Sequence, residues 1–256
     1  MKKETKNIFT IYGINSAFSI ISSKNCIVEK IFLLENGSAH KNKRLDKMIH
    51  DRNLRDKVVL ADLNEIKKIK DNSRTQGVVI IFKFLRIKES IYDLIPESSN
   101  HNGNNCILIL DQLEDPQNLG QIIRTCECAG VRRILLTRNK SVKLSDASIQ
   151  VSQGAFINID FYVCTNLRDA LNTLKNKQFW LVSLENSVDN AQNWDTINLK
   201  GNIGIILGSE GKGIRQLTLR ESDYIATIPM QGEINSLNVS AACSVILFER
   251  LRQILD

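Results

Sequence analysis

From residue 106 onward the chain alternates short apolar runs with amphipathic segments, a pattern that builds a parallel sheet covered by helices on both faces. Ile107–Leu110, Arg133–Thr137, Asp160–Cys164, Phe179–Ser183, Ile203–Leu207 and Tyr224–Ile228 read as strands. Between them Leu119, Ile122, Ile123 and Cys126 recur at i, i+3, i+4 and i+7, on a helix opened by Asp115-Pro116. Leu167, Ala170, Leu171 and Leu174 repeat the spacing behind Asn166, a residue suited to an N-cap. A last helix gathers Val239, Ala242, Cys243, Ile246 and Leu247 on one face, with Ser236 or Asn235 expected as its cap. The fold class is α/β.

The first part of the chain alternates on a smaller scale. A helix near 12–22, strand Val28–Leu34, helix 41–50, strand Val58–Ala61, helix 62–70 and strand Gly77–Phe82 predict a small α/β unit. Polar residues from Pro96 to Asn105, with Pro and Gly and no periodicity, read as a linker. The expected organisation is therefore a domain over 1–88, a linker over 89–105 and a second domain over 106–256. Charge divides at the same place. Residues 1–88 carry 19 Lys+Arg against 9 Asp+Glu, and residues 89–256 carry 15 against 19, which together give the net +6. Such asymmetry points to an anionic partner for the basic part, nucleic acid above all. Lys41, Lys43, Arg44, Lys47, Arg52, Arg55 and Lys57 form the densest cluster, with Lys67, Lys68 and Lys70 beyond it. A solvated helix face is the competing reading.

Several function classes drop out. The 6 cysteines show no C-x-x-C spacing, and Cys126-Glu127-Cys128 has no nearby His, so neither a zinc site nor a disulfide framework is expected. All 3 histidines (His40, His50, His101) precede residue 102, so a site further along works without a His-based triad. No apolar run approaches the roughly 18 residues of a membrane span. A cytoplasmic protein without membrane or metal partners is expected.

Three segments break the plain strand-and-helix pattern, each at a strand-to-helix junction. The first runs from Asp111 to Arg124 and includes Asp115-Pro116-Gln117-Asn118. At 100° per residue Arg124 lies about 140° from Leu119, off the apolar stripe. It therefore emerges near the carboxyl end of a strand, where open α/β sheets hold ligands; a surface ion pair is the alternative. The second is Leu207-Gly208-Ser209-Glu210-Gly211-Lys212-Gly213, whose glycines permit close backbone approach to a ligand. Its spacing fits neither the P-loop nor the dinucleotide fingerprint. The third, Ile228 to Ser240, holds Ser236 and Asn238, the latter polar and just inside the expected helix start.

Taken in order, D-P-x-N-x-G-x-x-x-R, G-x-E-G-x-G and I-P-M-x-G-x-x-x-S-L-N-V-S resemble the three motifs of the SpoU (TrmH-type) RNA 2′-O-ribose methyltransferases of the SPOUT superfamily, over about residues 107–252. Residues 10–83 are similar to that family's small L30e-like substrate-binding domain, with Ile11-Tyr12-Gly13-Ile14-Asn15 and Gln76-Gly77-Val78-Val79 as landmarks. The two-domain form is most like the members that methylate a guanosine ribose in 23S ribosomal RNA. The resemblance implies a SPOUT-type parallel-sheet domain with a C-terminal trefoil knot, a homodimer, a structured RNA substrate and S-adenosylmethionine as cofactor. It places Leu207, Gly208, Ile228, Leu237 and Asn238 around that cofactor, and Asn118, Arg124, Glu210, Ser236 and Asn238 on the family's functional positions. Two departures lie outside the motifs: Thr75 stands where a His often precedes Gln-Gly-Val, and Asp160 where a Pro is common.

The implied reaction displaces a methyl group from a sulfonium onto a ribose 2′-oxygen. Arg124 as a literal general base would cost about 9 kcal/mol at pH 7 on reference arginine values. A cationic Arg124, oriented by Glu210 and stabilising the developing alkoxide, is the preferred reading. The proton then leaves through Asn118, Ser236, a phosphate or water. Lys41, Lys43, Arg44, Arg52 and Arg55 are expected to contact phosphates. Rival readings are a tRNA ribose as substrate, an RNA-binding homologue without catalysis, and a nicotinamide dehydrogenase, the last resting only on glycines after a strand.

Overall fold

Eight strands, all parallel, form the larger of two sheets in the computed structural model, which describes residues 7–70, 75–91, 103–186, 188–189 and 191–256. The chain divides into two compact units, Met1–Arg86 with Ser145–Ile157, and Ile87–Leu144 with Asn158–Asp256.

In the first unit β1 (Ile8–Tyr12), α1 (Ile14–Ser22), β2 (Cys26–Leu34), α2 (Lys43–Asp51), β3 (Val58–Ala61), α3 (Leu63–Ile69) and β4 (Val78–Phe84) follow one another. Their sheet has the order β1-β4-β2-β3, antiparallel except between β2 and β3. Strand β1 is an addition to the expected elements: its apolar residues alternate, Phe9 and Ile11 are buried, and the helix begins only after Gly13.

The expected 106–256 domain is interrupted. Ser145–Ile157, with helix α5 (Asp146–Val151), packs in the first unit. The physical reason is the bare edge of β1. Gln150 accepts from Tyr12 N at 3.0 Å and donates to Tyr12 O at 3.1 Å, as a neighbouring strand would. Asp146 accepts from Thr10 N at 2.9 Å, and Phe156 is buried against the rings of Phe82 and Phe84. Residues 92–102, the middle of the expected linker, lie outside the described residues.

The second unit contains β5 (Ile87–Lys88), β6 (Cys106–Leu110), α4 (Pro116–Cys128), β7 (Arg133–Thr137), β8 (Asp160–Cys164), α6 (Leu167–Asn176), β9 (Trp180–Leu184), β10 (Gln192–Asn193), β11 (Ile203–Leu207), α7 (Gln216–Arg220), β12 (Tyr224–Thr227) and α8 (Val239–Leu255). Their order is β10-β12-β9-β11-β6-β7-β8-β5. β6 and β11 are buried along their whole length, as central strands covered on both faces must be. β5 and β10, two residues each, carry no sequence signal strong enough to have been expected.

This order fixes the place of the site. From β6 the chain steps one way to β7 and β8, then returns to lay β9, β11 and β12 on the other flank. Strand order thus reverses at β6–β11, and ligands bind outside the carboxyl ends of strands at such a reversal. The loops after β6, β9, β11 and β12 converge there.

Candidate active site

Helix α4 carries the first motif. Asp115 caps it, accepting from Gln117 N at 2.9 Å, with Pro116 at its first position. Leu119, Ile122, Ile123 and Cys126 are fully buried, and Arg124 emerges exposed, as the periodicity requires. Asn118 is 4 % exposed yet polar, and its partners explain it. Its amide donates to Glu210 Oε1 at 2.7 Å, and its carbonyl accepts from Asn238 Nδ2 at 3.0 Å. Asn238 Nδ2 also donates to Glu210 Oε1. Each motif thus contributes one side chain to a single cluster.

Asn238 has a second task. It, not Ser236 or Asn235, caps α8, accepting from Ser240 N at 2.9 Å. Its amide carbonyl serves the helix while its amide nitrogen serves the cluster, so helix α8 fixes the orientation of a site side chain. Ser240 Oγ adds a bond to Gln121 Oε1 at 2.6 Å.

The glycines of the second motif pack against each other. A Cβ on Gly208 would stand 2.2 Å from Gly213 C and 2.5 Å from Ile214 N. Gly213, at φ +63°, pairs with Ser209 in both directions, N to O at 2.9 Å and O from N at 3.2 Å. The loop that results holds Glu210 at its tip. The expectation that these glycines bring backbone close to a ligand is modified accordingly: the close approach at Gly208 is to Gly213.

Two anchors escaped the sequence reading. Asp111, fully buried at the end of β6, accepts from Arg215 Nε and Thr218 Oγ1, each at 2.8 Å, and so moors α7 beneath the glycine loop. Asn186, after β9, bonds the third motif from both ends of its amide: Nδ2 donates to Ile228 O and Asn235 O at 3.0 and 3.2 Å, and Oδ1 accepts from Ile228 N at 3.0 Å. Neither residue stands out by composition; both act across 42 or more residues of chain.

Around these loops lies a cavity of about 390 Å³, within the roughly 300–1,000 Å³ typical of small-molecule sites. Leu207, Gly208, Ile228, Ser236 and Leu237 line it, and Glu210 stands at its rim. Its apolar side chains and irregular backbone suit a ligand with a flat heterocycle and a polar tail. Arg124 is not among the residues that line it. Glu210 Oε1 is held by the two asparagines, and Oε2 has no partner among the described residues, so the expected Glu210–Arg124 pairing is not formed within the chain.

In the first unit Lys41, Lys43, Arg44, Arg52 and Arg55 are all exposed. Arg55 pairs with Asp46 at 2.8 Å, Arg52 donates to Ser22 O at 3.0 Å, and Arg44 stacks over Phe18 at 4.8 Å. The solvated-face reading thus accounts for part of the arginine set, while the Lys41 and Lys43 side chains form no ion pair among the described residues.

Residues 105–248 match the family described as the SpoU rRNA Methylase family. The chain belongs to that family. Residues 10–88 match its companion, RNA 2′-O ribose methyltransferase substrate binding. The 23S rRNA (guanosine-2′-O-)-methyltransferase RlmB of Xylella fastidiosa is 33 % identical over 246 residues, 95 % of this chain and 96 % of the relative. An uncharacterized tRNA/rRNA methyltransferase of Borreliella burgdorferi is 31 % identical over 222 residues, 84 % of this chain and 94 % of that one. The AdoMet-bound rRNA methyltransferase of Sinorhizobium meliloti superposes with a TM-score of 0.78 at 22 % identity, over 98 % of this chain and 89 % of that chain, a likeness of fold. This SpoU methylase is therefore an enzyme, an RNA 2′-O-ribose methyltransferase. The dehydrogenase reading falls, as does that of a homologue without catalysis. Among its described residues no helix is long and apolar enough to cross a membrane, and no group of three or more His, Cys, Asp or Glu is placed to hold a metal.

Proposed function

We propose that this SpoU methylase acts in the cytoplasm, as a homodimer, on the ribose 2′-hydroxyl of a guanosine in 23S ribosomal RNA. The observation that carries the chemistry is the Asn118–Glu210–Asn238 cluster at the rim of the 390 Å³ cavity. The near full-length likeness to RlmB supports the substrate, in preference to a tRNA ribose. Leu207, Gly208, Ile228 and Leu237 would hold S-adenosylmethionine; Asn238, expected beside them, is not among the cavity's lining residues and would act through Glu210. When bound, it supplies a sulfonium-activated methyl group for displacement by a ribose oxygen.

The chain's own residues do the rest. The Asn118 and Asn238 amides fix Glu210 through Oε1, which leaves Oε2 as a hydrogen-bond acceptor or a partner for a cation. Arg124, kept as a cation, stabilises the alkoxide that develops on the ribose 2′-oxygen. It lines neither the cofactor cavity nor the one adjoining Asn118 in its own chain, which favours delivery from a second copy. The hydroxyl proton leaves to Ser236, phosphate or water. Holding the two reactants in line supplies roughly 7–11 kcal/mol of barrier lowering. The C-terminal trefoil knot implied by the motifs accords with β11 being inserted between the earlier β6 and β9.

Lys41 and Lys43, with Arg44, Arg52 and Arg55 beside them, contact RNA phosphates and contribute affinity rather than base selection. The test of the site is Arg124→Ala. It should abolish methyl transfer to ribosomal RNA while calorimetric binding of S-adenosylhomocysteine stays within about twofold. Retained transfer, or loss of cofactor binding in parallel, would contradict the assignment.

A further inference from the structure

The cofactor cavity has a neighbour. A second cavity of about 450 Å³ is lined by Leu113, Glu114, Asp115, Pro116 and Asn118 and by Ser209, Glu210, Gly211 and Lys212. The Ser209–Lys212 loop lines both cavities, so Glu210, with Asn118 bonded to it, forms a wall common to the two. A methyl donor seated in the first and a sugar presented from the second would meet at that wall.

The polar groups of the second cavity divide into spent and unspent. Asn118 is committed to Glu210 and Asn238. The Asp115 carboxylate caps α4. Glu114 and Lys212 are exposed, and neither side chain has a hydrogen bond or ion pair among the described residues. The cavity therefore offers a wholly uncommitted carboxylate at Glu114 and ammonium at Lys212, beside the one free oxygen of Glu210. A nucleotide carries groups that answer to these: a base with hydrogen-bond donors, a ribose and a phosphate.

We propose that this second cavity seats the target nucleotide and that Glu114 is its specificity-determining residue, selecting guanine. The proposal rests on the methyl-transfer reading above. A base must leave its stack to reach such a pocket, and enzymes that extrude a base read its Watson–Crick edge. A carboxylate is an acceptor only. Guanine alone presents two adjacent donors on that edge, N1–H and the N2 amino group, which one carboxylate accepts together. Adenine and cytosine would each point a ring-nitrogen lone pair at Glu114, and uracil would flank its single donor with two carbonyls. Lys212 then takes the phosphate as a point charge.

The experiment uses the full-length enzyme and a 23S ribosomal RNA fragment with guanosine or inosine at the methylated position. Inosine keeps N1–H and lacks the amino group. A paired contact of this kind is worth about 1–3 kcal/mol of discrimination, or about 5- to 150-fold. Wild-type kcat/KM should fall by at least about fivefold on inosine. Glu114→Gln should lose a similar factor on guanosine, and its guanosine-to-inosine ratio should fall close to 1. Binding of S-adenosylhomocysteine should be unchanged in Glu114→Gln and Glu114→Ala, which shows the site is intact. A wild-type ratio retained by both variants overturns the assignment of Glu114 alone. Failure of the wild-type enzyme to methylate any RNA overturns the methyl-transfer reading, and the assignment with it.

Discussion

Substituting Gly208 by alanine tests how the second motif builds the site. The added Cβ would lie 2.2 Å from Gly213 C, 2.4 Å from Gly213 O and 2.5 Å from Ile214 N, all backbone atoms that no rotamer change can move aside. Ordinary carbon contact begins near 3.5 Å, so the strands of the loop must part by about 1 Å. That movement breaks the two Ser209–Gly213 hydrogen bonds and strains the one from Ile214 N to Glu185. Two such bonds contribute about 1–3 kcal/mol together, and overpacking strain falls in the same range. The loop is partly solvated and can open, so the two costs are alternatives rather than a sum. The expected loss is about 1–3 kcal/mol in denaturant-induced unfolding, with a far larger loss in affinity for S-adenosylhomocysteine, because Glu210 and the cavity wall move together. Gly211→Ala is the control: its Cβ meets nothing within 4 Å, so stability should hold within about 0.5 kcal/mol. Wild-type cofactor affinity in Gly208→Ala, or equal damage from Gly211→Ala, would show that the Gly208–Gly213 contact does not shape the site.

Other outcomes follow from the same geometry. Lys41→Glu with Lys43→Glu should weaken RNA binding and lower the slope of log affinity against log salt by about 2 in magnitude, leaving cofactor affinity unchanged; an unchanged slope would remove these lysines from the interface. Mixing inactive Arg124→Ala and Glu210→Gln chains after joint refolding should restore up to about a quarter of wild-type methyl transfer if a partner delivers Arg124, and none if each chain uses its own. Burial pushes the Cys26 thiol up to about 12 and those of Cys106 and Cys164 up to about 11, while Cys128 is exposed. A thiol reagent at pH 8 should therefore titrate one group quickly in the native enzyme and all 6 after unfolding. In the unfolded chain those three thiols ionise near pH 9, whereas in the folded one they stay protonated, so stability should fall as pH rises from about 9 to 11; a flat profile would count against their burial.

What the sequence made legible was whatever rests on local periodicity. The apolar stripe of α4, the cap at Asn166 and the bounds of β3, β7, β8 and β11 are all set by neighbours within a few positions. Arg124 was placed on the exposed face by the same arithmetic. The cluster of Asn118, Glu210 and Asn238 was legible through the motifs, because each occupies a strand-to-helix junction at the carboxyl edge of one sheet. The remainder depends on distance along the chain. Gln150 completes the edge of β1 from 138 residues away, and nothing in its own neighbourhood distinguishes it from a solvated helix residue. Asp111 and Asn186 likewise look ordinary until their partners at Thr218 and Ile228 are brought beside them. Asn238 looks anomalous inside a helix only if Ser236 or Asn235 is the cap; the helix starts two or three residues later, with Asn238 itself as its cap.

Three chain turns, meeting at Glu210, form the site proposed to carry a methyl group to a ribose oxygen of RNA. It is tested most directly by incubating the enzyme with ribosomal RNA lacking its own methyl groups and S-adenosylmethionine labelled in the methyl carbon, then digesting the RNA to nucleosides and identifying the labelled one by mass. Label should appear in 2′-O-methylguanosine with the wild-type chain and be absent with Asn118→Ala. Label on a base, or equal labelling by the two enzymes, would contradict that assignment.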